Sequence, residues 1–119
     1  MAYNETYEYI FRCLIDGEVC MPKTILDEHS AAHVAELFRA FSDTSRVRIM
    51  SALLSGEKNV STLAGLVGIS ESAVSHHMRG LRQMRLVVAR KDGKEVYYRV
   101  DDEHIIALFQ QGVEHIKNE

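Results

Sequence analysis

The sequence predicts a mainly α-helical domain carrying a β-hairpin near its C-terminal end. Three features predict it. Apolar residues recur at three- and four-residue spacing along most of residues 27–84. Cap and breaker residues, among them Asp43, Gly56, Gly68 and Ser70, cut that stretch into short helices. Two β-rich runs, LVVARK and KEVYYRV, then flank Asp92-Gly93, a dipeptide suited to a tight chain reversal. The chain has 119 residues, 46% of them hydrophobic, with one Pro and no Trp. That fits one compact domain, too small for most large enzyme folds and large enough to fold without a disulfide or structural metal.

The first residues, MAYNETYEYIFRCLIDG, carry acids where a signal peptide carries Lys or Arg, and no apolar run approaches the ~20 residues that span a bilayer. The expected compartment is the cytoplasm, with no membrane partner. Cys13 and Cys20 are too few for a secreted disulfide framework and read as thiols. Residues 1–25, broken around Asp16, Gly17 and Pro22, form an N-terminal arm in which part-helical structure is open, and residues 26–119 form the domain proper.

Between Asp27 and Ser42, Ala31, Val34, Ala35, Leu37, Phe38 and Phe41 mark one face of an amphipathic helix. Asp43 is placed to cap a second helix, which runs from Thr44 through Val47, Ile49, Met50, Leu53 and Leu54 and stops at Gly56. NVSTLAGLVGIS supplies a third helix of about two turns, closed by Gly68, which tolerates a left-handed turn. Ser70 caps the next, in which Val74, Met78 and Leu81 form the buried stripe, with Met84 as an open fourth member, while Glu71, Ser72, Ser75, His76, Arg79, Arg82 and Gln83 face elsewhere. Two short helices joined by a glycine turn are a helix-turn-helix, and a hairpin directly after the second is a wing. Counting outward from Asp92-Gly93 pairs Lys91 with Lys94, Arg90 with Glu95, Ala89 with Val96 and Val87 with Tyr98. Val87, Ala89, Val96 and Tyr98 then face the core, and Arg90, Lys91 and Lys94 stand at the tip. The last helix, capped by Asp101 or Asp102, carries more apolar surface than a solvent-facing terminal helix needs and is expected to bury it against a partner.

The formal charge of −3 hides a basic window: from Ser75 to Lys91 the chain has Arg79, Arg82, Arg85, Arg90 and Lys91 and no acid. Short hydrogen-bonding side chains on the first turns of a helix, with cations at its flanks, suit base edges and phosphates of B-DNA respectively. Ser70, Ser72, Ser75, His76, Arg79 and Arg82 fit that order, and Arg90, Lys91 and Lys94 extend it to the wing. His77 lies nearer the buried stripe and reads as a packed group.

Three motifs in order, DTSRVRIMSALL, VSTLAGLVGISESAVSHHMRGLRQMRLVVARKDGKEVYYRV and DDEHIIALFQQGVEHI, make the chain similar over about residues 30–116 to the ArsR/SmtB family of winged-helix metalloregulatory repressors. The resemblance implies a homodimeric winged helix-turn-helix protein that binds double-stranded operator DNA with an inverted repeat. It further implies Ser70 to Arg82 as recognition helix and repression of metal-resistance or efflux genes until a metal releases the DNA.

The inducer site is expected on the last helix, where Asp102, His104, His115 and Glu119 are types that zinc or another divalent transition metal accepts. His104 and His115 share a stripe but lie roughly 16 Å apart along a helix axis, too far for one ion. Two antiparallel helices about a two-fold axis would bring His104 of one chain to His115 of the other and create two equivalent sites. SmtB-type sensors look like this at the first three positions. They carry His or Glu three residues after the second histidine, where this chain has Asn118, so Glu119 would have to serve.

Cadmium- and lead-type members place cysteine at the start of the helix before the recognition helix, where Asn59, Val60 and Ser61 stand here. A thiolate site would therefore use Cys13 and Cys20, with His29, His33 or a residue of the other subunit. The same cysteines also admit a redox switch. An enzyme is not expected, because the histidines have no neighbouring general base and no polar cleft motif accompanies them.

Overall fold

A computed structural model of the chain describes residues 25–118. The N-terminal arm, Cys13, Cys20 and Glu119 lie outside the described residues, apart from Ile25 at the arm's end. The described chain divides into two compact units, Glu28–Asp102 and the C-terminal segment from Glu103.

The first unit opens with α1 (Glu28–Ala40) and α2 (Thr44–Leu53). Asp43 caps α2 as its position suggests, its carboxylate accepting from the Arg46 amide at 3.1 Å. That bond holds the Asp43 carboxyl below the usual carboxylate range. The helix ends at Leu53, ahead of Gly56. A two-residue strand, β1 (Lys58–Asn59), leads into α3 (Val60–Val67). Asn59 caps α3 by accepting from the Thr62 amide at 2.8 Å, and Gly68 closes it at φ 77°. Arg48 of α2 donates to the Val67 carbonyl at 2.8 Å, satisfying one acceptor that the end of α3 leaves open. The next helix, α4 (Glu71–Gln83), starts where the Ser70 hydroxyl accepts from the Ala73 amide at 3.0 Å.

Ile49, Met50, Leu63, Val74, Met78 and Leu81 are the largest fully buried side chains, so α2, α3 and α4 bury their apolar stripes together in one core. Arg85 leaves α4 in the left-handed region at φ 60°, and the Leu86 amide bonds back to the Leu81 carbonyl. This turns the chain into the hairpin β2 (Val88–Asp92) and β3 (Glu95–Arg99). The sheet order is β1-β3-β2, antiparallel throughout.

The hairpin register differs from the expected one. Asp92 pairs with Glu95, Lys91 with Val96, Arg90 with Tyr97 and Ala89 with Tyr98, so Gly93 and Lys94, rather than Asp92 and Gly93, form the loop. Among its residues only Gly93 has positive φ, at 61°. A reversal with Gly first needs a left-handed conformation of that one residue, whereas Asp92-Gly93 would need it of both. The partners move by two residues, which conserves the inward face: Val87 and Tyr98 are buried, and Ala89 and Val96 are half-buried.

The C-terminal unit contains α5 (Glu103–Lys117), directly after Asp102. Along it Ile105 is buried, Ile106, Leu108, Phe109 and Val113 are half-buried, and Ile116 is exposed. No helix of the described residues is long and apolar enough to cross a membrane.

Candidate nucleic-acid interface

The buried stripe of α4 fixes where its other side chains point. At 100° per residue, Val74, Met78 and Leu81 centre one face, Ser72, His76, Arg79 and Gln83 lie on the opposite one, and Ser75 and Arg82 flank it on one side. Ser72, His76, Arg79, Arg82 and Gln83 are exposed, Ser70 is exposed at the helix entry, and Ser75 is half-buried. His77 occupies the opposite flank, where its Nδ1 accepts from Arg46 Nε of α2 at 3.4 Å. The two adjacent histidines therefore face different surroundings, as the stripe suggests, although their rings meet edge-on at 5.9 Å.

The wing cations divide into two kinds. Arg90 is held by Glu57: Nη2 donates to Oε1 at 2.6 Å and Nε reaches both carboxylate oxygens at 3.1 and 3.2 Å. Its guanidinium also lies 4.7 Å from the centroid of the Tyr97 ring. Arg99 approaches Glu57 at 3.9 Å and Asp101 at 3.5 Å. The hydrogen bond from Arg90 holds the Glu57 carboxyl below its usual range and pushes the Arg90 guanidinium up. Lys91, Lys94, Arg79, Arg82 and Arg85 are exposed and form no ion pair with the described residues. The capture of Arg90 spans 33 residues of sequence, so no local pattern signals it.

Between α4 and β3 lies an open hollow of about 360 Å³ lined by Ser75, Arg79, Arg82, Gln83 and Tyr98. No acid lines it. Cations without partners among the described residues, an exposed polar helix face and a basic hairpin tip together make a surface suited to a polyanion with base edges to read.

Residues 43–88 match the profile of bacterial regulatory proteins of the arsR family. Over 93 residues the chain is 42% identical to a transcriptional repressor SmtB homolog of Synechocystis sp., covering 78% of this chain and 70% of that one. This chain belongs to the ArsR family. Another relative, a cadmium resistance transcriptional regulatory protein CadC homolog of Staphylococcus aureus, is 37% identical over 84% of each chain. Among solved structures, a homodimeric winged helix-turn-helix DNA-binding domain of Mycobacterium bovis superposes with TM-score 0.67 at 28% identity, over 82% of this chain and 92% of that one. The ArsR-family chain is thus a winged-helix DNA-binding transcriptional repressor and not an enzyme. A winged-helix DNA-binding regulator is consistent with the cytoplasmic location expected.

Of the expected metal ligands, Asp102 immediately precedes α5, His104 is half-buried in its first turn and His115 is exposed near its end. Among the described residues of this one chain, no three His, Cys, Asp or Glu gather into a metal-sized group. His29 and His33, one turn apart on α1, bring their ring centroids to 4.4 Å.

Proposed function

We propose that this ArsR-family repressor is a homodimer that binds an inverted-repeat operator in its metal-free form and releases it on binding zinc or a similar divalent ion. The observation that carries the DNA part is the set of exposed cations on α4 and the wing tip that form no ion pair among the described residues, beside the outward Ser72 and His76. Ser70, Ser72, Ser75 and His76 enter the major groove, Arg79 and Arg82 meet its flanks, and Lys91 and Lys94 take the backbone beyond. Arg90 serves the wing from its place against Glu57, where its charge is half-spent. Residues 26–119 act as one DNA-binding and dimerisation domain behind the N-terminal arm.

The donor types suit the ion: Asp102 and His104 of one protomer, with His115 and Glu119 of the partner subunit, would supply imidazole and carboxylate ligands. A divalent ion held by these residues would tie the two protomers together. Half-sites must lie about 34 to 36 Å apart for both recognition helices to reach successive major grooves, so a modest change in dimer geometry costs several contacts. Couplings of this kind are typically ~1 to 3 kcal/mol, and DNA weakens metal binding by the same factor. The relatives, an SmtB homolog and a cadmium resistance regulator, support a metal as inducer. The cadmium relative also favours a second reading, in which thiolates of Cys13 and Cys20 hold a soft ion or form a redox switch.

The test is titration of zinc into the protein bound to DNA from its own promoter, at fixed salt, with wild type beside H104A/H115A. Release of DNA from wild type alone supports the paired-helix site. Release from both variants moves the inducer site elsewhere, and loss of that release in C13S/C20S assigns it to the thiols. Release from neither rejects zinc as inducer.

A further inference from the structure

Tyr98 belongs to the inward face of the hairpin and, at 8% exposure, is buried. It also lines the hollow between α4 and β3. Among the described residues its hydroxyl has no hydrogen-bond partner, yet no fully buried side-chain polar atom lacks one. The hydroxyl therefore keeps an edge open to solvent, and the hollow is where the ring meets it. A buried tyrosine normally spends its hydroxyl on a partner. Here the neighbours across the opening are Ser75, Arg79, Arg82 and Gln83, all able to donate hydrogen bonds and none negatively charged.

The geometry points to a seat for one phosphate of the DNA backbone, held by the Tyr98 hydroxyl and the guanidinium groups of Arg79 and Arg82. A single sugar-phosphate strand separates the major groove of DNA from the adjacent minor groove. A protein with a helix in one groove and a hairpin at the next straddles that strand, and the space between helix and hairpin is where its phosphates pass. The hollow occupies that space. Ser75, at its edge, then serves the backbone as well as the bases. This assignment rests on the DNA-binding reading above and deepens it, adding to the interface a residue that its burial and its place in a β-rich run assign to packing.

Y98F tests it, since the change keeps the ring and leaves nothing in the protein unpaired. Binding to promoter DNA followed by fluorescence anisotropy should weaken about ten-fold, as expected for a lost hydrogen bond to a charged group. The loss should be equal on operator and scrambled duplexes, because a phosphate carries no sequence, and the salt dependence should be unchanged, because no charge is removed. R79Q and R82Q should each lower the salt slope by about one. In a scan of neutral methylphosphonate linkages, one position per half-site should weaken wild type more than it weakens Y98F, in which only the arginine contacts are left to lose. Equal DNA affinity of Y98F and wild type, equal methylphosphonate penalties in both, or a Y98F protein that melts well below wild type overturns the assignment while leaving DNA binding intact. Saturable binding of inorganic phosphate to the DNA-free protein, lost in Y98F, would assign the hollow to a free anion and overturn it as a backbone seat. Failure of wild type to bind DNA at all would instead refute the underlying DNA-binding reading.

Discussion

Replacing Gly65 and Gly68 by alanine, one at a time, should move stability in opposite directions although the residues sit three apart at the end of one helix. A β-carbon added at either meets no atom within 4 Å, so packing is silent and only backbone conformation decides. Gly68 is left-handed at φ 77° and ψ 34°, a conformation that costs an L-residue about 1 to 2 kcal/mol. Alanine also restricts the unfolded chain, which returns about 0.4 to 1 kcal/mol and leaves G68A destabilised by about 1 kcal/mol net. Gly65 is exposed inside α3, where alanine is better than glycine by about 0.5 to 1 kcal/mol. The two variants should therefore differ by about 1.5 to 2 kcal/mol, or several degrees in melting temperature for a domain of this size. Urea unfolding followed by circular dichroism is the assay, at one protein concentration because assembly would add to apparent stability. A lower midpoint for G65A, or a G68A midpoint at or above wild type with unchanged slope, would refute the reasoning from backbone conformation.

S70A removes the acceptor for the Ala73 amide and should cost about 1 kcal/mol in the same assay, with S70D restoring most of it. L81A empties a fully buried site and should cost about 2 to 5 kcal/mol, a large part of a small domain's stability, visible as a lost or greatly lowered cooperative melt. Because Arg90 holds the Glu57 carboxyl below its ordinary pKa, the stability this pair contributes is present above that ordinary value and lost as pH falls through the lowered folded one. Urea midpoints measured from about pH 6 down to about pH 3 should thus fall more steeply for wild type than for E57Q, and parallel curves would show that the pair contributes nothing. K91A should weaken DNA binding on all sequences alike and lower the salt slope by about one, whereas an effect confined to the operator would place Lys91 at a base.

Much of the helical architecture is legible because helix boundaries obey short-range chemistry. Asp43 and Ser70 cap where they stand, and Gly68 takes the left-handed turn that separates α3 from α4. The period of Val74, Met78 and Leu81 states which face of α4 is buried, and thereby which side chains are left to face a ligand. The hairpin was legible as an element and in its inward face, but not in its register. Two dipeptides, Asp92-Gly93 and Gly93-Lys94, both allow a reversal, and a shift of two residues leaves the alternation of faces unchanged, so periodicity cannot choose between them. Strand β1 has two residues, too few for any pattern, and exists through its pairing of Lys58 and Asn59 with Tyr98 and Tyr97.

The sequence by itself determined the caps, the turns and the polarity of each helix face, because these depend on residues within about four positions of one another. Tertiary structure alone decided which wing cations stay available. Arg90 and Lys91 are adjacent and equally basic in sequence, yet Glu57, 33 residues away, takes the first and leaves the second exposed. The same holds for Tyr98, whose burial follows from its alternating strand pattern but whose hydroxyl acquires meaning only where β3 passes Arg79 and Arg82 of α4. Charge and hydrogen bonding act through space, and the distances that set them are fixed only once the core has brought remote segments together.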